Sequence, residues 1–154
     1  MVQDMIENAA RDALPAPHII IIHTASNNMG FTNTAREIQE SIDNLLHIVK
    51  RLFPDACLIW SDILVRRFWT EARCQDDIEE TRKRLNKRIR HKFWACGGRV
   101  IRHPNIKPIY EHFQKYSVVH LSSEANRIFM DNLMDGLASF DRSPTKNNYS
   151  ADVA

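Results

Sequence analysis

Four consecutive isoleucines, Ile19–Ile22, held between His18 and His23, are the feature that most limits how this chain folds. Pro15 and Pro17 precede the run and Ser26-Asn27-Asn28 follows it, so structure breakers stand on both sides. Beta-branched side chains favour extended backbone. A run with no polar alternation has no face to offer water, so His18–Thr24 reads as a strand buried on both faces. That is the habit of strands in a parallel sheet covered by helices.

The rest of the chain supplies the cover. Val2–Ala13 reads as a short helix closed by the prolines, with Met5, Ile6, Ala9 and Ala13 at helical spacing. Thr34–Phe53 is the clearest helix, carrying Ile38, Ile42, Leu45, Leu46, Val49, Leu52 and Phe53 on one stripe and ending at Pro54. Ala56–Trp60 is a second short strand. Asp76–Phe93 is a helix with Ile78, Leu85, Ile89 and Phe93 inward, stopped by Gly97-Gly98 because glycine adopts the left-handed cap cheaply. Arg99–His103 is a third strand. Ser122 or Ser123 opens a final helix whose expected buried face is Ala125, Ile128, Phe129, Leu133 and Leu137. Alternating strands and helices predict a three-layer α/β/α domain with a parallel sheet over residues 1–140. Polar Asp141–Ala154 is expected to be a disordered tail.

Totals bound the function. The 154 residues carry a net charge of +2, too balanced to call for a polyanion by itself. Cys57, Cys74 and Cys96 are scattered and odd in number, which argues against a disulfide framework or zinc site and for a reducing compartment. Charged residues interrupt the first fifteen positions, so they read as no signal peptide, and Ile19–Ile22 is too short to span a membrane. The histidines lack close metal spacing, and neither a metal nor another cofactor is expected. The chain reads as intracellular, cytoplasmic or nuclear.

In parallel sheets ligands gather beyond the carboxyl ends of the strands. The first strand delivers Ser26, Asn27 and Asn28 there, the second Ser61 and Asp62, the third His103, and the loop before the last helix His120. A serine, a histidine, a carboxylate and an amide are the parts of acyl-transfer chemistry, and Ser26, His120 and Asp62 form one candidate triad. Against it, a serine nucleophile on a tight turn ordinarily has glycine neighbours, and Ser26 has Ala25 and Asn27. Hydrogen bonding within the turn is the plainer role for Ser26.

Three segments in order resemble a known family. Ile22-His23-Thr24-Ala25-Ser26-Asn27-Asn28-Met29-Gly30 is similar to the IHxGGNDxG segment of SGNH (GDSL-type) hydrolases. Trp60-Ser61-Asp62-Ile63-Leu64, with Arg66, Arg67 and Trp69, resembles the WSxIxPRxxW stretch of a vertebrate, often transposon-associated branch. Val119-His120-Leu121-Ser122 resembles the DGVHLSxxG segment. The likeness covers roughly residues 18–138 and implies an ester as the substrate of any activity. It makes His120 the general base and Asn27 an oxyanion donor, the family's nucleophile being a serine after its first strand.

The departures matter as much. Ser117 stands where the family's orienting aspartate would be, and Ala25 and Ser26 replace its two glycines. No GDS segment is present, so the domain is expected to lack the first strands and the nucleophile, and to be catalytically inactive. An all-apolar strand without its neighbour presents an unpaired edge, expected to make the product unstable alone, a homodimer through that edge, or a partial chain.

From Arg82 to Lys92 seven of eleven residues are Lys or Arg. A non-catalytic module binding nucleic acid or protein through this basic helix, 76–93, is the alternative function. The plainer account is a solvated helix with acids in its first turns, bases in its last, and Glu79–Lys83 and Glu80–Arg84 pairs at i,i+4. Trp60, Trp69 and Trp94 read as packing residues, and Cys57 as a small buried hydrophobe.

Overall fold

The computed structural model describes residues 4, 7–8, 15–30 and 33–152. Among these residues four parallel strands lie side by side in chain order: β1 (Ile19–Ile22), β2 (Cys57–Ser61), β3 (Arg99–Arg102) and β4 (Asn148–Ser150). Ile19 pairs with Cys57, Ile59 with Arg99 and Val100 with Asn148. Among the described residues three long helices cover the sheet: α1 (Ala35–Leu52), α2 (Gln75–Ala95) and α3 (Ser123–Arg142).

Local chemistry sets the helix ends. Thr34 Oγ1 accepts from the Glu37 N–H at 3.2 Å while the Glu37 carboxylate accepts from the Thr34 N–H at 2.6 Å, a reciprocal cap that starts α1. Gly97 ends α2 at φ +77°, in the left-handed region, with its N–H on the Trp94 carbonyl. Ile38, Ile42, Leu46 and Val49 of α1 and Leu85, Ile89 and Phe93 of α2 form one core against Trp60, whose ring lies 5.6 Å from Phe93. On the other sheet face Ile59 and Ile101 meet Phe140, with Leu133, Leu137 and Tyr149 packed around them. The order is α/β/α, as the alternating pattern predicts.

Four expectations meet differences. β1 is an edge strand among the described residues, and Ile19 is 49% exposed with only Ile22 fully buried, so the isoleucine run is not enclosed on both faces. The face of α3 is rotated: Asn132, Gly136, Ser139 and Phe140 are buried with Ala125, while Ile128, Phe129, Leu133 and Leu137 are only partly so. The cause is close approach, since a Cβ on Gly136 would fall 2.7 Å from Ile101 Cδ1. The supposed tail over Asp141–Ala154 holds the end of α3 and then β4. Backbone pairing to β3 and the Tyr149 ring against Ile59 and Ile101 order it, a contribution that an apolar-run criterion does not see. In α2 the acids pair at i,i+3 instead, Glu79 with Arg82 and Glu80 with Lys83.

Of the predicted Val2–Ala13 helix, Asp4, Glu7 and Asn8 are helical and the remainder lies outside the described residues. No helix among the described residues is long and apolar enough to cross a membrane.

Candidate functional site

Beyond the carboxyl ends of β1, β2 and β3 the chain places His23, Ser61 and His103 in one hydrogen-bonded line. Ser61 Oγ sits 3.0 Å from His23 Nδ1 and 2.8 Å from His103 Nε2. His103 Nδ1 lies 3.1 Å from Asn132 Nδ2, and Asn132 exchanges two hydrogen bonds with the Asn105 amide at 2.8 and 3.1 Å. The Phe129 ring lies 4.9 Å from both imidazoles. With Asn132 Nδ2 facing it, His103 Nδ1 is the acceptor, so Nε2 carries the proton and donates to Ser61 Oγ. His23 Nδ1 lies within reach of both Ser61 Oγ and, at 3.4 Å, the Ser61 carbonyl.

This line is dry at its centre. Ser61 is 0% exposed and His103 and Asn132 are buried. Burial, reinforced by His23, pushes the His103 imidazole down to about 3, so it is neutral at ordinary pH. His23 is exposed on its outer side, and the protein on its inner side holds it below the usual imidazole value, against the pull of the Ser61 carbonyl.

Asp62, next along the chain, is also buried. Arg90 Nε lies 3.3 Å and Arg102 Nε 3.8 Å from its carboxylate. Desolvation outweighs these cations and drives the acid up to about 6. The loop beyond it is pinned by Asn86, which accepts from the Ile63 N–H at 2.8 Å and donates to the Ile63 carbonyl at 3.0 Å.

The motif residues lie on other loops. After β1, Ala25 takes φ +81° and a single 3-10 turn, Ser26–Asn28, follows. A left-handed alanine where the resemblance has a glycine is a strained choice. Arg66 Nη2 donates to the Ser26 carbonyl and to Ser26 Oγ at 3.0 Å each and to Asn27 Oδ1 at 2.7 Å, with its guanidinium 4.7 Å above Trp69. Asn27 is exposed. His120 is exposed on the loop before α3, where Phe113 and Leu121 form an antiparallel bridge. Its Nδ1 lies 2.9 Å from Ser117 Oγ, which also accepts the N–H groups of Val119 at 3.1 Å and His120 at 2.9 Å.

The three members of the candidate triad therefore have separate partners: Ser26 has Arg66, Asp62 has Arg90 and Arg102, and His120 has Ser117. Among the described residues no hydrogen bond joins one to another. What the structure does join, Ser61 with His103 and Asn132, spans 42 and 29 positions of chain. Its one sequence signal is Asn132, a polar residue inside a helix where asparagine is disfavoured unless it has a partner.

No family model matches this chain and no curated protein matches it. Solved structures do. A protein from Bacteroides fragilis described as an acylhydrolase aligns with TM-score 0.64 over 87% of this chain and 68% of its own, at 12% identity. A GDSL-like lipase from Bacteroides thetaiotaomicron aligns with TM-score 0.63 over 87% and 69%, at 14% identity. The chain shares the fold of GDSL-type hydrolases. At such identities the likeness concerns architecture, and the chemistry has to be argued from the side chains.

Proposed function

We propose that this chain is a GDSL-hydrolase-like domain, of the vertebrate transposon-associated branch, that does not hydrolyse esters. The Trp60-Ser61-Asp62-Ile63-Leu64 segment with Arg66 and Arg67 supports the branch. The observation that carries the inactivity is the hydrogen bonding at His120. An aspartate in the place of Ser117 would accept a hydrogen bond from Nδ1–H and leave Nε2 basic. Ser117 Oγ already accepts two backbone N–H groups, so its own hydrogen points to His120 Nδ1. The proton of the neutral ring then resides on Nε2, the nitrogen a serine nucleophile would need free. Ser26 adds a second obstacle, because its hydroxyl is held by a cation that also occupies the Asn27 carbonyl oxygen.

The test pairs kinetics with spectroscopy on the whole chain. Hydrolysis of a short p-nitrophenyl ester is expected to stay at the buffer rate, and nitrogen NMR is expected to report the Nε2–H tautomer at His120. Ser117→Asp is expected to move the proton to Nδ1. An ester burst abolished by Ser26→Ala, or an Nδ1–H tautomer in the unaltered chain, overturns the reading.

A second reading, a binding module working through α2, draws on Lys87 and Arg88, which are exposed and have no ion-pair partner among the described residues. A nucleic-acid mobility shift lost in Lys87→Glu/Arg88→Glu supports it; no shift discards it.

A further inference from the structure

Between the ends of β2 and β3 and the inner side of α2 lies a cleft of ≈ 530 Å³ that the proposed function leaves unused. Seven of its lining side chains are Lys or Arg and three are Asp or Glu. Some of that charge is already matched. Arg82 forks onto Glu79 and donates to the Ile63 carbonyl at 2.7 Å, and Lys83 pairs with Glu80.

Arg90 and Arg102 are different. Both approach the single carboxylate of Asp62 through Nε, and Arg90 Nε has its hydrogen bond with the Asn86 carbonyl at 3.2 Å. The terminal nitrogens of both guanidiniums have no hydrogen-bond partner among the described residues. Arg102 Nε is sealed from solvent without one, and so is Asp62 Oδ1. Lys107, exposed at the rim, has no ion pair among the described residues. Two guanidiniums and an ammonium against one carboxylate leave two positive charges facing a partly dry cavity. A bound dianion would balance that excess.

We propose that this cleft binds a small phosphomonoester, its dianionic phosphate seated between Arg90 and Arg102 with Lys107 at the rim. Paired guanidinium forks suit the planar, bidentate recognition of oxyanions. The volume is that of a small-molecule site, roughly 300–1,000 Å³, and not of a groove that tracks a polymer. The location is the carboxyl edge of a parallel sheet, where such ligands collect. Burial holds Arg90 below its ordinary basicity; the Asp62 carboxylate opposes this and the nearby Arg102 and Arg82 charges add to it. Asp62 is the internal competitor: it occupies the Nε side of both arginines, so its charge opposes that of the ligand. The inference does not depend on the state of His120.

Calorimetric titration of the whole chain at neutral pH tests it, with phenyl phosphate as probe and benzenesulfonate as the monoanion of similar shape. Saturable binding of phenyl phosphate is expected, with benzenesulfonate weaker by about tenfold. Arg102→Gln, at a side chain 41% exposed and so tolerant of change, is expected to weaken phenyl phosphate by about tenfold or more. Asp62→Asn is expected to tighten it several-fold, a gain that simple damage to the fold does not produce. Arg88→Gln, outside the cleft, is expected to change nothing. Absence of saturable binding, equal affinity for the sulfonate, a loss in Asp62→Asn, or tighter binding of an unphosphorylated-end oligonucleotide that grows with its length overturns the proposal.

Discussion

His120 and His103 each meet a serine hydroxyl, at 2.9 and 2.8 Å, in surroundings of opposite kind. His120 lies exposed on a loop and its serine is three residues away, so the contact is made by local chain geometry. His103 is buried at a strand end, and its partners come from β2 and α3. Only the first carries a motif. Only the second is buried among partners fixed by other elements. A motif records where chemistry takes place in related chains, whereas a buried, fully partnered polar line records where this chain has committed its fold.

The largest effect expected from that contrast is in acid. The His103 imidazole is held at about 3 against 6.5 when unfolded. Its contribution to stability is therefore complete above pH 6.5 and is lost as pH falls toward 3, on the order of 5 kcal/mol in all. His23 shifts in the same direction and adds to the loss. Asp62, raised to about 6, works the other way: the folded state holds its proton more tightly between pH 3.8 and 6, so stability from this group rises as pH falls through that window. Denaturant melts across pH 7 to 4 should thus show a gentle slope in the natural chain and a steeper acid loss in Asp62→Asn. Equal slopes would break the account of both strand-end groups.

Next in size is Asn132→Leu. It strips His103 Nδ1 and both amide atoms of Asn105 of their partner, and is expected to cost about 2–4 kcal/mol in a urea melt. A cost below about 1 kcal/mol would mean that water replaces the amide freely and that the line is not a structural unit. The smallest change is His120→Ala, expected within about 0.5 kcal/mol of the natural chain because the ring is exposed and its serine keeps two backbone partners. A large loss there would erase the distinction between the two histidines.

The same contrast explains what could be read from the residues in order. The strands at 19–22 and 57–61 announce themselves through adjacent apolar side chains, and α1 through Thr34, Glu37 and its isoleucine stripe. Asn148-Tyr149-Ser150 has no such run, because its order comes from the backbone of β3 and one aromatic ring. The inward side of α3 was hidden for a related reason. Gly136 is buried for its small size against Ile101, not for hydrophobicity, and that depends on a helix-to-sheet distance that no residue pattern encodes. Ser61, Asp62 and His103 were legible as strand-end residues. Their partners Asn132, Arg90 and Arg102 were not, since each lies on another element.

The strand order β1-β2-β3-β4 bears on how the chain is made as well as on its shape. Ile19 and Cys57, Ile59 and Arg99, and Val100 and Asn148 are paired across 38, 40 and 48 positions. The entropic cost of closing these three spans differs by only about 0.2 kcal/mol. Each new strand joins the one made just before it, always on the same side. A ribosome releasing this chain can therefore hand over one strand at a time to an already seated neighbour, with no earlier pairing to undo.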